Sequence, residues 1–354
     1  MLRNLKILDF TTLLPGPYAT FMLASMGAKV TKVSAPGKPD LVLEDGPRAS
    51  TGDTANKIWL NHRKDEIIAN LKDSEDLEKI KQLLRDGEYN CIIEQFRPGV
   101  MDKLGLGYEA VKEIVPDIIY TSLSGYGQFG EYVDRAGHDI NYLSLSGNMS
   151  YSGRVANGPE LYGMQIADIA SAQNAIIGTL AAHNQRVLDG KGSHVDVSIL
   201  DSVIPFNTMS GVGALLSGNN PERESPWLNG GSMYDFYETS DNQYMSVGSL
   251  EPKFWKRFCE VMGHEDWIEA GCVCPDFKEK KDIVREQFKQ KTRKEWEAIF
   301  EGKDACVEPV LTVTEALLER KNAKMRDAIV DIKDDKYTED NIWIYGNPIK
   351  FLDK

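Results

Sequence analysis

The sequence predicts an α/β fold, with a parallel sheet and crossover helices followed by a smaller α+β domain. Three observations carry that prediction. Short apolar runs alternate with helix-patterned segments from Lys6 to Ser198, and strand–helix–strand order calls for parallel pairing with right-handed crossovers. Beyond that point the chain turns rich in Gly, Asn, Ser and Pro, then into charged helices. Finally, 354 residues make room for about two domains.

Taken in order, residues 6–10 (KILDF) read as a buried strand. Pro15 and Pro17 open a helix over 18–26 that Gly27 closes, the usual placement of proline at the start and glycine at the end. Residues 29–33 form a second strand, and a loop rich in Pro, Gly and Asp fills 35–54. Ser74 and Asp76 precede a helix that Gly87 ends. Strands follow at 90–94 and 117–122, with a helix over 108–115 between them. A long helix spans 164–188 and a strand 193–198, after the turn Gly190-Lys191-Gly192. Residues 211–231 read as an extended connection. Two strands at 233–237 and 243–247 flank the turn at Ser240-Asp241-Asn242. Helices then cover 252–262, 277–291, 293–300 and 313–320, with a last strand-like piece at 341–345. The domain boundaries follow: a large domain over 1–205, a linker over 206–231, a small α+β domain over 232–305, and a segment over 306–354. That last segment is too small to fold alone and returns to the large domain.

Composition narrows the function. Lys and Arg number 41 against 54 Asp and Glu, a net charge of −13. A nucleic-acid or anionic-membrane binder needs clustered positive charge, so neither partner is expected, although a locally basic pocket on an acidic protein is not excluded. The N-terminus has charges and prolines where a signal peptide needs an apolar run, and no stretch of about 18 apolar residues is expected to span a membrane. The five cysteines are irregularly spaced, as suits a reducing cytoplasm. Cys272-x-Cys274 lacks a second ligand pair, so no metal is expected. No G-x-G-x-x-G follows the first strand, and no P-loop or G-x-S-x-G elbow occurs.

Single residues then carry the search. His183, His194 and His264 read as packed, surface or helix-end residues. His138 opens an apolar segment from the polar stretch Arg135 to Tyr142; it is either a general base or a structural residue. Asp168 stands among Ile166, Ala167, Ile169 and Ala170; it is either a helix cap or a carboxyl with a tuned pKa. The charge-free run to Arg186 predicts a helix buried nearly all round, and a buried Asp168 would find its partner in His138.

Several segments together resemble the class III CoA-transferase superfamily, of CaiB/BaiF type, and within it most resemble the α-methylacyl-CoA racemases. They are Ile7-Leu-Asp-Phe with Pro15-Gly-Pro-Tyr18, residues 27–33, Asn61-His-Arg-Lys64, residues 95–101 with 104–108, and Ser124-Gly-Tyr-Gly-Gln128. Gly137-His-Asp-Ile-Asn-Tyr142, Gly230 to Tyr234 and Glu251-Pro252-Lys253-Phe254 resemble the racemases in particular. The resemblance implies a Rossmann-like CoA-binding large domain, an interlocked homodimer, an acyl-CoA substrate and no separate cofactor. It implies that His138 and Asp168 act as two bases on a 2-methylacyl-CoA, or that Asp168 acts as the nucleophile of a CoA-transferase; a CoA-binding protein without catalysis is the third reading. By the same resemblance Glu251 orients His138, from its own chain or the partner's; by its position alone it reads as a carboxylate at a helix start before Pro252. Gly125, Tyr126, Gly127 and Tyr142 contact substrate, and enolate donors come from Gly125 and Gly127 or from the start of the Asp168 helix. Arg63, Lys64 and Arg97 are CoA phosphate contacts, with a solvated surface charge the other reading of each. Ser34 stands where the family usually has Glu, which shifts the loop after it.

Overall fold

A central parallel strand is covered on both faces, and β1 (Lys6–Phe10) has four of five residues buried, Asp9 among them. The computed structural model describes residues 1–332 and 342–352. They form two compact units, one of residues 1–146, 162–206 and 320 onward, the other of residues 147–161 and 207–319.

In the first unit β1 leads into α1 (Pro15–Ser25), β2 (Lys29–Ser34), α2 (Ala55–Asn61), β3 (Asp65–Ile68), α3 (Ser74–Arg85) and β4 (Cys91–Glu94). The chain continues through α4 (Val100–Lys103), α5 (Tyr108–Ile114), β5 (Ile119–Ser124), α6 (Asp139–Leu145), α7 (Ile166–Asp189), β6 (Ser193–Ser198) and α8 (Ile199–Val203). All six strands pair in parallel in the order β3-β2-β1-β4-β5-β6. The register sets Asp9 beside Lys32 on one side and Ile93 on the other. Chain order reverses between β1 and β4, the place where open α/β sheets leave a crevice at their carboxyl ends. β3 and α2 were not foreseen: β3 is an edge strand whose residues, DEII, are mostly exposed, so it lacks the apolar run of a central strand.

The second unit begins its longer segment with α9 (Thr208–Ser217), where an extended connection was expected. Gly211 and Gly213 lower helix propensity there, which hides the helix in the sequence. β7 (Asp235–Glu238), β8 (Tyr244–Val247), α10 (Pro252–Met262), α11 (Phe277–Phe288), α12 (Arg293–Phe300) and β9 (Val307–Pro309) follow. The strands make an antiparallel sheet in the order β7-β8-β9. Trp255, Phe258, Phe288, Trp296 and Phe300 build its core with Tyr237 and Met245. Because β9 completes this sheet, the small unit runs to 319, where a boundary at 306 was expected. The large domain expected over 1–205 is likewise interrupted, since residues 147–161 group with the second unit.

The chain then returns to the first unit as α13 (Lys321–Met325), β10 (Ile329–Ile332) and β11 (Ile342–Tyr345), the last two paired antiparallel; Asn341 of the predicted terminal strand lies outside the described residues. By length and composition alone the helical run Ile199–Ser217 is long and apolar enough to cross a membrane, contrary to expectation. A single-turn helix at Ile204–Asn207 containing Pro205 interrupts it.

Candidate active site

Two glycines fix the geometry of the loops beyond β5. A Cβ on Gly125 would stand 2.6 Å from Tyr142 Oη, and one on Gly137 2.8 Å from both Tyr126 Oη and Tyr142 Cε1. The Tyr126 and Tyr142 rings meet at 5.3 Å and 67°, the edge-on arrangement that aromatic quadrupoles favour. Tyr142 Oη donates to the Gly137 carbonyl at 2.8 Å. Gly127, at φ +83°, turns the loop so that the Gln128 N–H donates to both oxygens of Asp196, at 3.1 and 3.0 Å. Gly125, Tyr126, Gly127 and Tyr142 are thus brought together. A side chain at 137 has to displace a tyrosine, so Gly137→Ala should lower stability by about 1–3 kcal/mol, read from a denaturant melt.

His138 sits at the cap position of α6, exposed, with its backbone N–H donating to Asn141 Oδ1 at 3.0 Å. The next residue joins the two helices. Asp139 Oδ1 accepts from the backbone N–H of Ala167 at 2.6 Å and of Asp168 at 3.3 Å, so a carboxylate from the first turn of α6 caps the first turn of α7. His138 and Asp168, thirty positions apart, therefore stand at the starts of two tethered helices. The expected partnership differs in one respect: among the described residues no hydrogen bond or ion pair joins His138 to Asp168, and Asp139 makes the link. Its role was missed, although an acid directly after His138 at a helix start was the available signal.

The Asp168 carboxyl has no cationic partner among the described residues. Burial, and then the negative charge of Asp139, push it up to about 7. Burial also raises Asp139, against the two amide bonds that favour its charged form. Burial, with Tyr126 and Asp168 nearby, pushes the Tyr142 hydroxyl up to about 12. α7 is not buried all round: Ala167, Ala170, Ala172 and Ala175 face inward, while Ile177 and Val187 are exposed.

The other candidates stand on other elements. Glu251 is exposed at the cap position of α10, in the second unit. Arg63, exposed and left-handed at φ +65°, precedes β3, and Arg97 is exposed after β4; no hydrogen bond or ion pair joins them. Lys64 is a correction. Its side chain is 1% exposed, with Nζ 3.1 Å from Asp9 Oδ2 and donating to Pro17 O at 3.0 Å and Thr20 Oγ1 at 2.6 Å. Thr20 Oγ1 in turn donates to Asp9 Oδ2 at 2.6 Å. Burial pushes the Lys64 ammonium down to about 8 against the pull of Asp9. Burial alone would raise Asp9, but Lys64, Lys32, Thr11 and Thr20 hold it below the usual range. A cation so enclosed is a strut and not a phosphate contact.

The same corner explains the missing nucleotide fingerprint. A helix start binds phosphate through free N–H groups. In α1, Pro15 and Pro17 have none, and the Gly16 N–H donates to Gln95 Oε1 at 3.0 Å. A Cβ at Gly16 would stand 2.2 Å from Thr11 Cβ, so the sealed start depends on that glycine. Ser34, where a family glutamate was expected, donates to Glu66 Oε1 at 2.6 Å, a carboxylate supplied by β3.

The family model described as CoA-transferase family III matches residues 2–354. The chain is 32% identical over 319 residues to the alpha-methylacyl-CoA racemase of Homo sapiens, covering 89% of this chain and 79% of that one. It is 29% identical to the succinyl-CoA:glutarate CoA-transferase of Homo sapiens, covering 87% and 71%. The crystal structure of a CAIB/BAIF family protein from Brucella suis superposes with a TM-score of 0.85 at 25% identity, over 99% of this chain and 93% of that one.

Proposed function

The chain belongs to the CoA-transferase family III, and from that premise we propose that it racemises 2-methylacyl-CoA thioesters, with His138 and Asp168 as the two bases. The observation that carries the reading is a carboxyl held near 7 in the first turn of a helix tied, through Asp139, to the helix that His138 caps. Inversion next to a thioester needs one proton removed and another returned to the opposite face. A group with a pKa near neutrality serves as base in one direction and acid in the other. CoA is part of the substrate, and the chemistry calls on no other group.

The enolate oxygen needs fixed donors. The start of α7 is a poor source, because Asp139 already occupies the Ala167 and Asp168 amides. That leaves the loop amides of Gly125 and Gly127. Arg63 and Arg97, both exposed, remain candidates for the CoA phosphates. Arg97→Ala should raise KM for the thioester about tenfold with kcat little changed, since a distant phosphate contact binds substrate and transition state alike. A homodimer in which Glu251 reaches the partner's His138 belongs to the same proposal.

Transferase relatives at similar identity favour a second reading, in which Asp168 attacks the thioester as nucleophile. The two separate in heavy water. A 2-methylacyl-CoA incubated without any acceptor acid should gain deuterium at its α-carbon. Absence of exchange, together with thioester transfer that appears only when a free acid is added, would establish the transferase instead.

A further inference from the structure

The chain leaves the first unit just after α6, the helix that His138 caps, and returns just before α7, which carries Asp168. Between them residues 147–161 run within the second unit, and that excursion is fastened there at many points. Arg154 makes a bidentate pair with Asp235, its Nη1 at 3.1 Å from Oδ2 and its Nη2 on Oδ1. The same Nη1 reaches Glu224 Oε1 at 3.2 Å, and the Val155 N–H donates to Glu224 Oε2 at 2.9 Å. Arg223 donates to the carbonyls of Met149 at 2.8 Å and Ser152 at 3.0 Å, and Asn229 Nδ2 to that of Tyr151 at 2.6 Å. Arg154 also bridges Gly158 as a tight hairpin, with Gly153 at φ +89° and Gly158 at φ +78°.

Asp235 is the anchor. Its side chain is 3% exposed, and Lys281 Nζ, itself buried, lies 2.7 Å from Oδ2. A buried carboxylate held by an arginine fork and an ammonium resists displacement, since removing one cation leaves charge uncompensated. The excursion connects the C-terminal end of α6 to the short stretch that leads into α7. Chain continuity thus lets this one clamp limit how far α6 and α7 can shift.

We propose that Arg154 is a positioning residue for His138 and Asp168, acting through the 147–161 excursion and touching neither. The idea rests on the two-base reading only for its activity readout. Asp139 holds the helix starts together locally, and Arg154 holds the chain between them.

The test compares Arg154→Gln and Arg154→Lys with the wild type, using deuterium incorporation into a 2-methylacyl-CoA and amide hydrogen exchange of the full chain. In Arg154→Gln, kcat should fall about 10–100-fold with KM within about twofold, the size of effect that a small misplacement of catalytic groups produces. Amides at the start of α7 should exchange at least about tenfold faster. Arg154→Lys keeps the charge and should recover part of both. A kcat within about twofold of wild type, or faster exchange confined to residues 147–161 and 207–319, would overturn the proposal, because a purely local strut predicts those results. If Arg154→Gln does not fold, Glu224→Gln removes one arm of the clamp and should move both readouts in the same direction by a smaller factor; no movement overturns the proposal. Should the wild type incorporate no deuterium, the racemase reading fails by itself, and the amide exchange, which needs no turnover, still decides the role of Arg154.

Discussion

Asp168→Asn should slow α-proton exchange by about 10²–10⁴-fold and at the same time should make the protein more stable above neutral pH. The two effects share one cause. Burial and the charge of Asp139 push the folded carboxyl up to about 7, well above the ordinary 3.8 of a free aspartate, so between those values the folded state holds a proton that the unfolded state has released. Stability from this group is full below about 4 and is lost as pH rises toward 7, after which the loss stays constant. Asparagine cannot ionise and escapes that loss. Thermal melts of the variant and wild type should coincide near pH 4 and separate by roughly 1–3 kcal/mol in favour of the variant at pH 8, a range that allows for the partial exposure of the site. A variant equally or less stable at pH 8 would show that Asp168 is well paired and not held near neutrality. Activity in the direction that uses Asp168 as base should rise as pH increases through 7, because only the ionised form accepts a proton.

Lys64→Met is the second large effect, and it falls on the fold. Asp9 is fully buried beneath the start of α1, and without the ammonium its charge has lost its nearest compensation. Breaking such a pair destabilises by about 3–5 kcal/mol, whereas removing both charges together restores much of that. Urea melts of Lys64→Met, Asp9→Asn and the double variant should therefore show strong non-additivity. The folded fraction of Lys64→Met should keep its KM for the thioester, in contrast to Arg97→Ala. A raised KM at unchanged stability would return Lys64 to the substrate.

Much of the first unit was legible because central parallel strands are covered on both faces, and CIIE and IYTSLS can hardly be anything else. The edge strand β3 and the glycine-bearing helix α9 were not, since neither carries the periodic apolar signal that burial imposes. At the candidate site, local pattern singled out His138 and Asp168. The acid after His138 was visible, but its partner on α7 was not, because the Asp139 cap spans 28 positions of sequence and exists only once two helices meet. Lys64 shows the converse. Nothing around it distinguishes a strut from a surface charge; an acid within KILDF calls for a buried cation, but only the fold shows that the cation is Lys64.

The division of the chain has a consequence for synthesis. The first unit is made of three separate stretches and the second of two, so the polypeptide passes from one to the other four times. The last of those stretches closes on the earliest helices: Tyr345 stacks edge-on against Trp59 of α2 at 4.9 Å, and Asn347 Nδ2 donates to Ser25 Oγ of α1 at 2.8 Å. A ribosome delivers residues in order, so Trp59, which meets Tyr18 and Phe21 early, waits for Tyr345 until roughly 285 further residues have emerged. The second unit has all its parts available earlier, once residue 319 is out. During translation the small unit can therefore finish first, with the Trp59 and Ser25 contacts completed only when residues 345 and 347 arrive.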